Sequence, residues 1–456
     1  MMGAASFTAR IRGASLGARV MRSSMLTMGG FGTAQLLRLL SNLVLTRLLF
    51  PEAFGMMALV SVLMQGLAMF SDVGVTPAIL QSRRGDDRDF LDTAWTIQVI
   101  RGVALSATAA ALAWPMAWVY GEPQLAHLLP VAGLTLLIAG FNPTTLDTAG
   151  RHLLLGRVTV IEVATQVVGL LAAIALAWAT GSVWALVASG ILSQLVHLVL
   201  LRRFLPGTPN RFRWEAPAAQ ELIRFGKWIF LSTVCGFAFH QGDKILIGRY
   251  LPLDLFGIYN IGYFLASFPM LLGGMITRKV LIPVYRESPP TASRANFLKL
   301  RRMRAAVTTF LLALLAGAGL LGVWLVHLLY DPRYESAGAV VVILAVGQIP
   351  QIVALTYDQA ALAAGDSRRF FVLQLARALL MVAGLLVGLE THGLMGALVG
   401  QGAAYLAMYP VVLWLARRMG AWDPMHDLLG FGAGLLIALA AIHFNYSDIV
   451  ALAATS

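Results

Sequence analysis

Twelve apolar runs, each long enough to cross a bilayer, follow one another along this chain with short polar connections between them. A helix needs about 20 mostly apolar residues to span the hydrocarbon core. The runs of the first half lie at about Met25–Phe50, Gly55–Leu80, Thr93–Tyr120, Gln124–Ala149, Val158–Thr180 and Val183–Phe204. Those of the second lie at about Leu222–Tyr250, Gly257–Thr277, Ala305–Leu329, Gly338–Ala364, Phe371–Leu389 and Leu394–Ala416. A thirteenth, about Leu428–Phe444, is barely long enough to span. Only 12% of the 456 residues are charged and 58% are hydrophobic, whereas a soluble chain carries roughly 25% charged residues. The runs lack the alternation of barrel strands, so the spans are helices. The sequence predicts an all-α polytopic membrane protein. Residues 1–24 form a basic N-terminal segment, 25–204 a first six-helix bundle, 205–221 a linker rich in proline, 222–416 a second six-helix bundle and 417–456 an extra apolar segment.

The two halves repeat. Leu45–Leu59 and Ile247–Ile261 align without a gap at an offset of 202 residues, with Arg47 on Arg249, Leu49 on Leu251, Phe54 on Phe256 and Gly55 on Gly257. Each copy ends one apolar run and begins the next, and its proline, acid and Phe-Gly read as a tight turn between helices. Six spans per half put both turns on the same side. The halves are therefore a parallel repeat about an axis along the membrane normal.

Basic residues set the orientation. With the N-terminus in the cytoplasm, 26 of the 34 Lys and Arg residues fall at the N-terminus or in inside loops, and only Arg333 falls outside. The other seven lie in or at the ends of spans. So uneven a division follows the positive-inside rule. It also accounts for the net charge of +12 without a nucleic-acid partner. The basic stretch Asn296–Arg304 reads either as plain inside anchoring or as a short helix on anionic membrane lipids.

Motifs for bond-making chemistry are missing from the sequence. It has no Walker-type Gly-Lys-Ser/Thr loop, no HExxH and no CxxC, and its eight histidines lack ligand spacing. Gly317–Gly322 matches GxGxxG but lies inside the ninth span, where small residues serve helix packing. Cys235, the one cysteine, reads as a small core residue. No cofactor or metal is expected, and the chain is read as a non-enzyme.

Charges inside the spans carry the functional signal, because each costs about 2.5–3.5 kcal/mol at a helix centre facing lipid. Arg38, Arg101, Lys244, Arg377 and His240 are expected to line a cationic cavity for an anionic group, and arginine can fork two hydrogen bonds to a phosphate. Asp72, Glu162 and Asp243 are the candidate ion-coupling acids. Structural ion pairs such as Arg38 with Asp72 or Arg101 with Glu162 are the competing reading. Gly74 and Pro77 in the second span, and Pro269 and Gly273 in the eighth, are candidate hinge positions.

Arg47–Gly55, followed by Asp72-Val73-Gly74-Val75 and Ala78-Ile79-Leu80-Gln81, then Asp243–Arg249 and Phe256-Gly257-Ile258-Tyr259, resembles the polysaccharide transporter (Wzx-type oligosaccharide flippase) family of the multidrug/oligosaccharidyl-lipid/polysaccharide exporter superfamily. The resemblance covers roughly Met25 to Arg418. It implies two six-helix bundles, alternating access and transfer of undecaprenyl-diphosphate-linked oligosaccharide across a bacterial inner membrane, driven by a proton or sodium gradient. Polysaccharide polymerase and chain-length proteins are the candidate protein partners. Rival readings are a multidrug or small-molecule antiporter of the same superfamily, and a membrane glycosyltransferase or polymerase. The cationic midplane speaks against the first, and the short outer loops against the second.

Overall fold

A computed structural model describes residues 16–71, 75–152, 154–277, 281–357 and 367–455. Among these residues the regular structure is helical. In the first half α1 is Leu16–Leu48, α2 Pro51–Phe70, α3 Val75–Gln81, α4 Arg88–Tyr120, α5 Leu125–Gly140, α6 Thr145–Arg151, α7 Leu155–Thr180 and α8 Trp184–Phe204. The second half has α9 (Ala216–Tyr250), α10 (Leu253–Ala266), α11 (Phe268–Ile276), α12 (Ile282–Glu287), α13 (Arg294–Leu329), α14 (Ala337–Gly347), α15 (Ile349–Leu355) and α16 (Ser367–Arg418). Two helices follow, α17 (Pro424–Phe444) and α18 (Tyr446–Thr455).

Seven described helices are long and apolar enough to cross a membrane, or ten when each of three bent pairs counts once. The longest of them, α16, is two spans. Its backbone leaves the helical region at His392 and Gly393, where Gly393 takes φ 53°. There the chain folds back so tightly that a Cβ on Gly388 would overlap the carbonyl of Gly396, and one on Gly384 that of Gly400. Glycine pairs let two backbones approach this closely inside a membrane. With α16 counted twice, and with α1 and α9, helices of 33 and 35 residues, the described helices match the thirteen apolar runs of the sequence. Counterpart spans of the two halves share a defect. The fourth (α5 with α6) bends by 56° and the tenth (α14 with α15) by 42°.

By packing, the chain forms two compact units. One comprises Met1–Leu49 with Val60–Thr233, the other Phe50–Leu59 with Val234–Ser456. The division does not fall in the linker. The first turns of α2 pack with the second unit, and the linker with the first part of α9 packs with the first.

Within the first unit the linker lies as a strap against α4. Asn210 bonds the buried Asp92 carboxylate (3.3 Å) and the Thr144 hydroxyl (2.8 Å). The backbone N–H groups of Arg211, Arg213 and Glu215 donate to Asp92, Thr96 and Thr93. Arg84 grips Glu215 through two hydrogen bonds of 2.9 and 2.8 Å while also holding Asp87. Its guanidinium keeps both carboxyls below their ordinary range.

In the second unit the basic stretch before the ninth span is not a separate surface helix. It is the start of α13, which runs unbroken to Leu329. Arg304 is fully buried, donates to the Ala421 carbonyl and the Tyr285 hydroxyl, and lies 4.7 Å from the Tyr357 ring. Arg301 forks onto Asp423 at 2.5 and 2.8 Å. At the start of α17, Asp427 accepts from the Tyr357, Tyr409 and Trp422 side chains and meets His426 at 2.9 Å. A buried charge needs such partners. These bonds fasten the thirteenth span to the second six.

Candidate functional site

A cavity of about 390 Å³ lies inside the second unit, between α9, α10, α11, α15 with the break before it, and both arms of α16. Its walls are apolar where Phe239, Met270 and Leu355 reach it, and polar at His240, Asp243, Gln348, Gln374, Arg377, Gln401 and Tyr405. Asp243 is 3% exposed, and its Oδ2 accepts a 2.5 Å hydrogen bond from the Tyr259 hydroxyl. Its Oδ1, together with Oε1 of Gln348 and Oε1 of Gln401, is buried without a hydrogen-bond partner among the described residues. Each unsatisfied buried acceptor costs about 1–3 kcal/mol, and here three belong to residues that line one chamber. The Gln348 amide is oriented by its Nε2, which donates to the Ala266 carbonyl. Gln401 donates to the Tyr405 hydroxyl at 3.2 Å.

Donors face the same space. Arg377 is 8% exposed, donates to Gln374 (3.3 Å) and lies 5.6 Å from the Phe239 ring centre. His240 stands beside that ring, with centroids 4.9 Å apart. Helical periodicity explains the arrangement. Residues 240 and 243 share a face of α9, 374 and 377 a face of the first arm of α16, and 401 and 405 a face of the second.

Of the residues expected from the sequence, His240, Asp243 and Arg377 are thus brought together. Lys244, on the next face of α9, donates to Gln241 (3.0 Å) and sits 5.0 Å from the Tyr263 ring. Arg38 and Arg101 belong to the other compact unit. Arg101 donates to the Ser71 hydroxyl (2.9 Å) and the Ala68 carbonyl (2.5 Å), which satisfies the end of α2. Arg38 is exposed on α1. Glu162 is exposed on α7 and makes no ion pair among the described residues. Asp72 and Gly74 lie outside the described residues, as does the Pro77 side chain. Pro269 follows the 42° bend between α10 and α11, and Gly273 packs beneath Leu355 and Leu311.

Sequence reading missed Tyr259, Gln348, Gln401 and Tyr405. The available signal was their polarity within apolar runs, at positions that share helical faces with residues already singled out.

Fold and cavity together define a class: a helical, multi-pass membrane protein with a polar chamber enclosed by its second set of spans. The model of the polysaccharide biosynthesis protein family matches residues 44–339, and the chain belongs to that family. It is 25% identical over 273 residues to the succinoglycan biosynthesis transport protein ExoT of Rhizobium meliloti, covering 59% of this chain and 54% of that one. It is 23% identical over 273 residues to the lipopolysaccharide biosynthesis protein WzxC of Escherichia coli, covering 58% and 54%. These alignments thus span about half the length of the curated relatives. Among solved structures the chain is similar to the lipid II flippase MurJ in an inward closed conformation (TM-score 0.65, 12% identity, 94% of this chain and 100% of that one). It is also similar to an inward-facing multidrug resistance MATE family transporter of the MOP superfamily (TM-score 0.62, 16% identity, 85% and 95%). The family resemblance carried by the Phe-Gly turns is borne out, and so is the all-α fold.

Proposed function

We propose that this protein is a flippase. It moves undecaprenyl-diphosphate-linked oligosaccharide repeat units across the bacterial inner membrane by alternating access, for exopolysaccharide, capsule or O-antigen biosynthesis. Family membership supports the pathway, and the name of ExoT supports transport within it. The observation that carries the reading is the chamber, whose lining combines a buried arginine and a histidine with three residues that each keep a partnerless acceptor oxygen. Sugars present donor and acceptor hydroxyls together, and a diphosphate presents only acceptors. A chamber with both kinds of group can serve a glycan and its phosphate linkage. A chamber for an apolar cation needs acids and aromatic faces without a buried arginine.

Arg377 is the group proposed to meet the anionic linkage, and His240 to assist it. Asp243 is proposed as the coupling acid of the second unit. One of its oxygens is fixed by Tyr259 and the other is open to a proton or a sodium ion. Asp72 and Glu162 are proposed to serve the first unit, and Arg38 and Arg101 to receive the substrate there. Gly74, Pro77, Pro269 and Gly273 are proposed to let their spans bend.

Deleting the gene in its host tests the function. Surface polysaccharide should disappear while lipid-linked repeat units accumulate on the cytoplasmic leaflet. Normal surface polysaccharide, or repeat units accumulating already on the outer leaflet, would exclude a flipping role.

A further inference from the structure

The repeated Phe-Gly turn has a structural counterpart within the second unit, because its two copies pack on one another. A Cβ added to Gly55 would overlap the carbonyl oxygen of Leu253, and one added to Gly257 would overlap that of Pro51. The offset that aligns the two copies carries position 51 onto 253 and 55 onto 257. The contact is therefore reciprocal. Each turn's glycine admits the first residue of the other turn's helix, as in an isologous interface between two copies of one surface. Pro51, Gly55, Phe256 and Gly257 are all buried.

A second set of contacts holds the first copy in place. Phe54 meets the Tyr334 ring edge-on, with centroids 5.8 Å apart at 89°. The guanidinium of Arg333 lies 4.7 Å from the Phe50 ring centre, and Asp331 fixes it through a 2.8 Å bond to its Nε. Arg333 is the one basic residue that the sequence places in an outer loop.

We propose that this reciprocal contact is an outer latch. It holds the start of α2 against the start of α10, with Arg333 and Tyr334 as its clasp, and it separates once in each transport cycle. The latch explains why both copies keep glycine four residues into their helices, where any side chain would force the two backbones apart. The inference rests on the flippase reading for the word transport, but the latch itself can be read without it.

The test uses the full-length protein with Cys235→Ser and a single reporter, Met56→Cys. Residue 56 is 2% exposed behind the latch. Labelling with an impermeant maleimide from outside should be slow in this background. Gly257→Ala and Gly55→Ala should each accelerate it about tenfold or more. Arg333→Gln adds no bulk, so it guards against misfolding, and it should accelerate labelling a few-fold. Cysteines at Glu52 and Asp254, joined by a short bifunctional reagent, should stop polymer export, and a cleavable version should restore it on reduction. Unchanged labelling in all three variants would overturn the latch, whatever the protein carries. Faster labelling with normal export by the cross-linked protein would show that the contact forms but never needs to open, which also overturns the proposal. Loss of the flippase reading alone would leave the labelling pattern intact and remove only the export arm.

Discussion

Asp243 and Arg377 are each held in place by the fold and are the groups proposed for the transport step. The Tyr259 hydroxyl orients Asp243 and satisfies one of its oxygens. Tyr259→Phe should therefore weaken folding by about 1–3 kcal/mol through an unpaired buried acceptor, read as a lowered unfolding temperature in detergent. Asp243→Asn keeps the shape and loses the charge. It should abolish the response of transport to the proton or sodium gradient while leaving lipid-linked substrate binding in place. An Asp243→Asn protein that still responds to the gradient like the parent would remove this residue from coupling. Arg377→Ala should weaken binding of the diphosphate-linked substrate about 10- to 100-fold, the loss of one or two charge-assisted hydrogen bonds, with normal insertion in the membrane. The positions of Asp243 and Arg377 were legible in the sequence because a charge in an apolar run demands a partner or a cavity. Gln348 and Gln401 were not, since an uncharged amide in a run is cheap to bury and pairs with whatever is near. Arg304 escaped for the opposite reason: it lies in a basic loop by sequence, and only tertiary packing draws it in between Tyr285 and Tyr357.

At the scale of elements, apolar length marked the spans, while tertiary contacts decided how their ends are used. Of the bends, the one at Pro269 was legible in the sequence; those at Asn142-Pro143 and at Gln348–Pro350 also carry a proline but sat inside continuous apolar runs. The linker reads as polar and proline-rich, which says nothing of the strap it forms on α4 through Asp92, Thr93 and Thr96. That strap has a pH signature. Arg84 holds the Glu215 and Asp87 carboxyls below their ordinary values of 4.5 and 3.8. A depressed carboxyl stabilises the folded arrangement above its unfolded value, and the contribution is lost as pH falls through the lower folded value. A spin label at Phe212→Cys should stay immobile at neutral pH and become mobile only below about pH 4. Glu215→Gln should free the strap already at pH 7. A label equally immobile in Glu215→Gln at both pH values would show that the backbone bonds suffice. Close packing within α16 predicts a separate effect. Gly388→Leu drives a side chain into the Gly396 carbonyl and should cost about 1–3 kcal/mol or more, seen as lower yield of folded protein, whereas Gly432→Leu, at a glycine with open space around it, should not.

For the whole molecule, the repeat and the distribution of basic residues predict an arrangement that the flippase reading requires. The N-terminus and the linker should be cytoplasmic, and Glu52 and Asp254 outside. A cysteine at Glu52 should react with an impermeant thiol reagent in cells whose outer membrane has been made permeable, and labelling solely from the cytoplasmic side would reverse the arrangement. The central claim is that this chain carries a lipid-linked glycan. Its most direct test is purified protein reconstituted into vesicles that hold undecaprenyl-diphosphate-linked oligosaccharide in one leaflet, with transfer followed by exposure of the sugar to an impermeant glycan-modifying enzyme. Parent protein under a proton or sodium gradient should expose the sugar well above protein-free vesicles, and Arg377→Ala should reduce exposure to that background. Equal exposure with and without the protein, or gradient-driven export of a lipophilic cation in place of the glycan, would contradict the account.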